Sequence, residues 1–122
     1  MKGATMPVTE VMEKKSPAID DDRVYEMQVR ICKAFANPSR LRILDLLAKG
    51  EHNVSELQQA LQITVPNVSQ HLSILRNAGV VKTRREGKQI ICSLAIPEVK
   101  TACSLIKEVL RAQLRNGRDI VI

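Results

Sequence analysis

Residues 53–81, NVSELQQALQITVPNVSQHLSILRNAGVV, carry two helix starts a few residues apart and one helix stop. Asn53 is a capping residue, and Glu56 three positions on can reach back to it, an Asn-led form of the capping box. Val54, Leu57 and Leu61 then supply one apolar face at near-helical spacing. Ile63 follows and Thr64 is a good cap for a second helix. Pro66 falls in that helix's first turn, where its missing N–H does little harm. Val68, Leu72 and Leu75, at i, i+4 and i+7, must face a core. Asn77 and Gly79 end the helix, glycine being free to take the left-handed conformation. Two short helices joined by a tight turn, the second keeping a polar outer face, have the layout of a helix-turn-helix. In that motif the second helix enters the DNA major groove.

The outward face suits base reading. Val65, Asn67, Ser69, Gln70 and Ser73 lie on it or at its edge, with Thr64 and Pro66 at the entry to the helix. Asn and Gln pair in bidentate fashion with adenine, Ser takes either role, and small apolar groups meet a thymine methyl. A plain solvated helix face would carry Lys and Glu where this one carries short uncharged polar groups. His71 flanks the same surface and has three readings: a satisfied, partly buried histidine, a phosphate contact, or a ligand.

A basic hairpin follows directly. Val80 and Val81 open a strand, Lys82, Arg84, Arg85 and Lys88 surround Glu86-Gly87, and Gln89–Leu94 form a second strand with Ile90, Cys92 and Leu94 on one face. After a recognition helix, such a hairpin is a wing. Arg84, Arg85 and Lys88 are its candidate phosphate contacts, adding affinity and orientation without sequence information. A cationic turn alone means little; helix, turn, helix and basic hairpin in that order mean much more.

Upstream, Asn37-Pro38-Ser39 starts another helix, built on Leu41, Ile43, Leu44, Leu46 and Leu47 and stopped by Lys49-Gly50, with Arg40 and Arg42 on its outer side. Residues 20–36 read as an amphipathic helix with Asp20, Asp21 and Asp22 at its positive end and a stripe of Val24, Met27, Ile31, Ala34 and Phe35. Residues 96–115 read as a long last helix with the stripe Val99, Ala102, Cys103, Ile106, Leu110 and Leu114. The expected fold is mainly α with a two-stranded β-wing, a winged helix-turn-helix in the order α-α-α-α-β-β-α. Residues 1–18 are expected to be a flexible N-terminal segment, 19–115 the DNA-binding and dimerisation domain, and 116–122 a C-terminal tail. A chain of 122 residues has a modest core. Its two striped end helices therefore call for a partner, and a homodimer would set two recognition helices about 34–36 Å apart on successive major grooves.

Nineteen Lys and Arg against thirteen Asp and Glu leave a net charge of +6, which favours a polyanionic partner. Tyr25 and Phe35 are the only aromatics, so the stacking platforms that single strands or RNA require are missing, and double-stranded DNA is the expected partner. No apolar run approaches a membrane span and residues 1–17 lack a signal-peptide core, so no membrane association and a cytoplasmic location are expected. The five glycines are scattered and no nucleophile–base motif involves His52 or His71. An enzyme is not expected, and no cofactor is required.

Taken together, Asn37-Pro38-Ser39-Arg40-Leu41-Arg42-Ile43-Leu44, Val54-Ser55-Glu56-Leu57, Pro66-Asn67-Val68-Ser69-Gln70-His71-Leu72, Leu75-Arg76-Asn77-Ala78-Gly79-Val80-Val81 and Gly87-Lys88 resemble the ArsR/SmtB family of winged-helix repressors over roughly residues 22–114. The resemblance implies a homodimeric repressor, paired through its first and last helices and released from an operator by a metal, metalloid or thiol-reactive inducer. Cys32, Cys92 and Cys103 are the candidate inducer thiols. An odd count without a CxxC pair argues against structural disulfides, while buried cysteine also serves as a small hydrophobe. The family's thiolate pair before the recognition helix is missing at Glu56-Leu57-Gln58-Gln59, and its zinc or nickel site has no histidine after His71. Its persulfide dithiol matches only loosely, because Cys32 precedes the second helix and Cys103 comes early in the last. A trivalent metalloid would need all three thiolates to converge, and Cys32 and Cys103 could meet at a dimer interface. Two other classes remain open. One is a winged-helix regulator without a small-molecule inducer, controlled by abundance or a protein partner. The other is a protein-docking module indifferent to charge reversal at Arg84, Arg85 and Lys88.

Overall fold

A computed structural model describes residues 21–117. The chain divides into two units between Arg30 and Ile31. The elements are α1 (Asp22–Phe35), α2 (Pro38–Lys49), β1 (His52–Asn53), α3 (Val54–Leu61), α4 (Val65–Asn77), β2 (Val81–Glu86), β3 (Gln89–Leu94) and α5 (Glu98–Arg115). The division falls inside α1. In the second unit one core gathers Ile43, Leu44 and Leu47 of α2, Leu57 and Leu61 of α3, and Val68, Leu72 and Leu75 of α4. Val80, Val81, Cys92, Val99 and Cys103 close it from the sheet and α5. Each of these aliphatic side chains contributes about 1.5–3 kcal/mol when fully buried.

Local chemistry sets the boundaries. Asn37 Oδ1 accepts from the Arg40 N–H at 3.1 Å, with Pro38 in the first turn of α2. The capping box of α3 is complete: Glu56 N–H donates to Asn53 Oδ1 at 2.7 Å, and Asn53 N–H donates to Glu56 Oε1 at 2.9 Å. Thr64 Oγ1 accepts from Asn67 N–H at 3.3 Å to open α4. That helix ends in a Schellman motif, Gly79 N–H donating to Arg76 O at 3.0 Å and Val80 N–H to Leu75 O at 3.1 Å. Gly79 takes φ +79°, which turns the chain straight from the recognition helix into the wing.

The wing is the expected antiparallel hairpin. Gly87, at φ +62°, is the first of its two loop residues, and Lys88 keeps a negative φ, as in a type II′ turn. A third strand joins it that the sequence reading did not anticipate. Only two residues long, β1 pairs with β3 through His52–Cys92 and Asn53–Ile91, giving the order β1-β3-β2. Two residues show no alternation, so no periodicity announces such a strand. The last helix starts at Glu98 rather than residue 96, with Pro97 at its cap making no side-chain capping bond. Asn116 and Gly117 finish it, Gly117 at φ +77°. The expected N-terminal segment 1–18 and most of the 116–122 tail lie outside the described residues.

Between α3 and α4 the turn rests on Gln62 at φ +56°, ψ +46°, the only non-glycine residue with positive φ among the described residues. Left-handed backbone costs an L-residue roughly 1–2 kcal/mol, partly offset in a glycine variant by that residue's freer unfolded chain. Gln62→Gly is therefore expected to raise stability by about 0.5–1 kcal/mol, read from the urea midpoint at constant m-value.

Candidate nucleic-acid interface

Helix α4 divides along its length as its spacing requires. Val68, Leu72 and Leu75 are buried, while Thr64, Val65, Pro66, Asn67, Ser69 and Gln70 are exposed. Ser73 and His71 are half-buried at the margin. The exposed set runs along the first two turns, the part of a recognition helix that meets base edges. The Thr64 hydroxyl accepts the capping bond, but Asn67 and Gln70 make no side-chain hydrogen bond among the described residues. Their amides keep both donor and acceptor available to a ligand.

His71 is held from behind. Arg40 Nη1 lies 3.3 Å from His71 Nδ1. A guanidinium only donates, so Nδ1 accepts and the ring proton sits on Nε2. The same guanidinium donates through Nε to Ala34 O at 2.7 Å and through Nη2 to Lys33 O at 3.1 Å. Arg40 is thus no outward-facing residue: it closes the carbonyl end of α1 and steadies the recognition helix. Arg42 does similar work for α3, donating to Ala60 O at 3.0 Å. The sequence placed both arginines on the outer side of the helix, which holds for the exposed Arg42, but a cation's partner on another element leaves no local signal.

Arg76, in the last turn of α4, donates to Thr83 Oγ1 at 3.5 Å, a further link between helix and wing that spacing did not reveal. On the wing, Arg85 and Lys88 are exposed and their side chains make no hydrogen bond or ion pair among the described residues. Arg84 differs. It donates to both oxygens of Glu51, at 2.6 and 3.0 Å, and through Nε to Glu86 at 2.9 Å. The Arg84 bonds hold the Glu51 carboxyl below its usual range, and both carboxylates raise the guanidinium's pKa.

The three cysteines are free thiols in different settings. Cys32 is exposed, Cys92 is fully buried on β3, and Cys103 is buried on α5. Burial pushes the Cys92 thiol up against the opposing pull of Arg76. Burial, and then the Asp45 carboxylate, pushes Cys103 up against Lys107. Cys103 borders an open groove of about 600 Å³ with Lys49 and Lys100, crossed by a Lys107–Asp45 ion pair at 2.5 Å. No cluster of three His, Cys, Asp or Glu side chains able to hold a metal occurs among the described residues. The thiols therefore do not converge within one described chain.

Residues 37–83 match the family described as "Bacterial regulatory protein, arsR family". The transcriptional activator HlyU of Vibrio cholerae is 38% identical over 106 residues, 87% of this chain and 89% of that protein. This chain belongs to the ArsR family. The biofilm growth-associated repressor of Agrobacterium fabrum is 46% identical over 79 residues, 65% of this chain and 66% of that protein. The homodimeric winged helix-turn-helix DNA-binding domain of a possible ArsR-family regulator from Mycobacterium bovis superposes with a TM-score of 0.73 at 31% identity, covering 86% of this chain and all of that one. As an ArsR-family member the chain is a transcriptional regulator with a DNA-binding winged helix, not an enzyme. No helix among the described residues is long and apolar enough to cross a membrane.

The ring of His71 yields a prediction with a definite sign. Burial, and secondarily the Arg40 charge, lowers its pKa below the ordinary 6.5. The unfolded chain then takes up the proton first as pH falls, so the contribution is whole above about pH 6.5 and shrinks below it. Wild type should lose more urea resistance than His71→Gln between pH about 7.5 and about 5.5.

Proposed function

We propose that this regulator is a homodimer that binds double-stranded operator DNA sequence-specifically, represses transcription, and is released by a metal, metalloid or thiol-reactive inducer. The observation that carries the DNA reading is the exposed amide pair Asn67 and Gln70 on the first turns of α4, beside a wing with Arg85 and Lys88, all four side chains without a hydrogen-bond or ion-pair partner among the described residues. Ser69 and Val65, the latter 45% exposed, extend the base-reading surface, and Thr64, Pro66, His71 and Ser73 form its margin. The contacts divide into base readers on the helix and phosphate-binding cations on the wing.

Support for pairing comes from α5. Its first turns are buried through Val99 and Cys103, but Leu105, Ile106, Val109, Leu110 and Leu114 are 42–60% exposed along one side. Ile31 on α1 is exposed as well. A continuous apolar stripe of this kind marks an interaction surface, and the M. bovis neighbour is homodimeric. The activator and repressor names carried by the two relatives leave repression as the family-based part of the proposal.

Of the three candidate thiols, Cys32 is the accessible one, and reactivity follows exposure and thiolate fraction. The burial of Cys92 and Cys103 favours the second reading, a regulator without a small-molecule inducer, controlled by abundance or a protein partner.

Gel-shift on the DNA upstream of the protein's own gene tests both. Asn67→Ala and Gln70→Ala should each cost about 1–3 kcal/mol in specific binding while sparing binding to random duplex. Arsenite, zinc, cadmium, persulfide and peroxide are then added in turn to wild type, Cys32→Ser, Cys92→Ser and Cys103→Ser. Release of wild type but not Cys32→Ser is expected; if no agent releases the DNA, the inducer reading fails and the second one stands. Leu110→Asp should shift the sedimentation coefficient from dimer to monomer and reduce operator affinity with it.

A further inference from the structure

The outer half of the wing has almost no apolar burial to hold it. From Arg84 to Ile90 every residue is exposed, and the fully buried contacts of the hairpin stop at Cys92 and Val81. A two-stranded hairpin without a packed face is marginal in water. What reaches this region instead is the guanidinium of Arg84. It sits opposite Ile91 of the central strand β3, and Ile91 in turn pairs with Asn53 of β1 on the far edge. Glu51 lies just before β1, so the fork from Arg84 to both Glu51 oxygens, at 2.6 and 3.0 Å, spans the whole sheet. The bond from Nε to Glu86 at 2.9 Å ties the same group along its own strand toward the turn.

We infer that Arg84 is a positioning residue: it straps the wing to the β1 edge and sets its angle, while Arg85 and Lys88 carry the phosphate contacts. This rests on the winged helix being the DNA interface proposed above, and it removes Arg84 from the set of expected phosphate ligands. Glu51 and Glu86 both hold the Arg84 guanidinium and Glu56 lies beside them, so even with Lys82 on the same face of β2 three carboxylates stand against two cations and the cluster is net negative. A phosphate approaching Arg84 would meet that charge and find the fork already filled. Arg85 is on the opposite face of β2, with Thr83, by strand alternation, and Lys88 is in the turn. Neither meets a carboxylate among the described residues.

The strap is tested first without DNA, on the full-length protein, by amide hydrogen exchange across Arg85–Ile90. Arg84→Gln and Glu51→Gln should each speed exchange there several-fold, whereas Arg85→Gln and Lys88→Gln should leave it unchanged. Unchanged exchange in Arg84→Gln overturns the proposal. The second measurement is the salt dependence of binding to a short random-sequence duplex. Arg85→Gln and Lys88→Gln should each lower the log–log slope by about one, as expected for loss of one phosphate contact. Arg84→Gln should weaken binding several-fold with the slope intact. Arg84→Lys keeps the charge but not the planar fork, so it should resemble Arg84→Gln in exchange and in affinity. Full affinity in Arg84→Lys, or a slope lowered by one in Arg84→Gln, would make Arg84 a phosphate ligand and overturn the proposal. If wild type binds no duplex at all, the DNA reading fails, while the exchange result still decides the strap.

Discussion

The burial of Val68, Leu72 and Leu75 on one side of α4 is the contact on which the rest of the domain depends. Those three side chains pin the helix against α2 and α3, and with 3.6 residues per turn this forces Asn67, Ser69 and Gln70 outward. The short turn at Gln62 and the Schellman turn at Gly79 fix where the helix begins and ends, so its neighbours have little freedom either. Loss of this packing would scatter the outward set rather than merely weaken it. Burying apolar surface is what gives the polar face a direction.

Around that core, a small number of arginines make the long-range polar connections. Arg40 joins the end of α1 to the recognition helix, Arg42 closes α3 from α2, Arg76 ties α4 to the wing, and Arg84 crosses the sheet. Each satisfies carbonyls, a ring nitrogen, a hydroxyl or carboxylates that would otherwise rely on water. The planar guanidinium suits the task because one side chain can serve two or three acceptors at fixed angles. The formal charge of +6 is therefore a poor measure of what DNA meets. Several of these cations are already engaged, Arg84 by two carboxylates.

The thiols are separated by the same architecture. Cys92 is part of the core between β3 and its neighbours, and Cys103 packs where α5 leaves the core, so burial raises both and keeps them protonated. Cys32 alone is open. Three cysteines in a chain suggest a three-coordinate site only until the fold places them in a helix end, a strand and a second helix.

Much of the fold was legible in the residues themselves, because local rules governed it. Helix caps at Asn37, Asn53 and Thr64, the stops at Gly50 and Gly79, and the split of α4 into buried and exposed faces all follow from short-range hydrogen bonding and helical period. The glycine turn of the wing was readable for the same reason. The two-residue strand β1, the left-handed Gln62 and the partners of Arg40, Arg42 and Arg84 were not. The strand and the arginine partners depend on groups brought near by packing of distant segments, while Gln62 caps its own helix through Gln58 O in a conformation its residue type does not announce. The sequence by itself determined which residues could face DNA, since periodicity separates apolar from polar faces. Only the tertiary structure decided which of the wing's cations are already engaged, because an ion pair between residues 51 and 84 exists only once the sheet has formed.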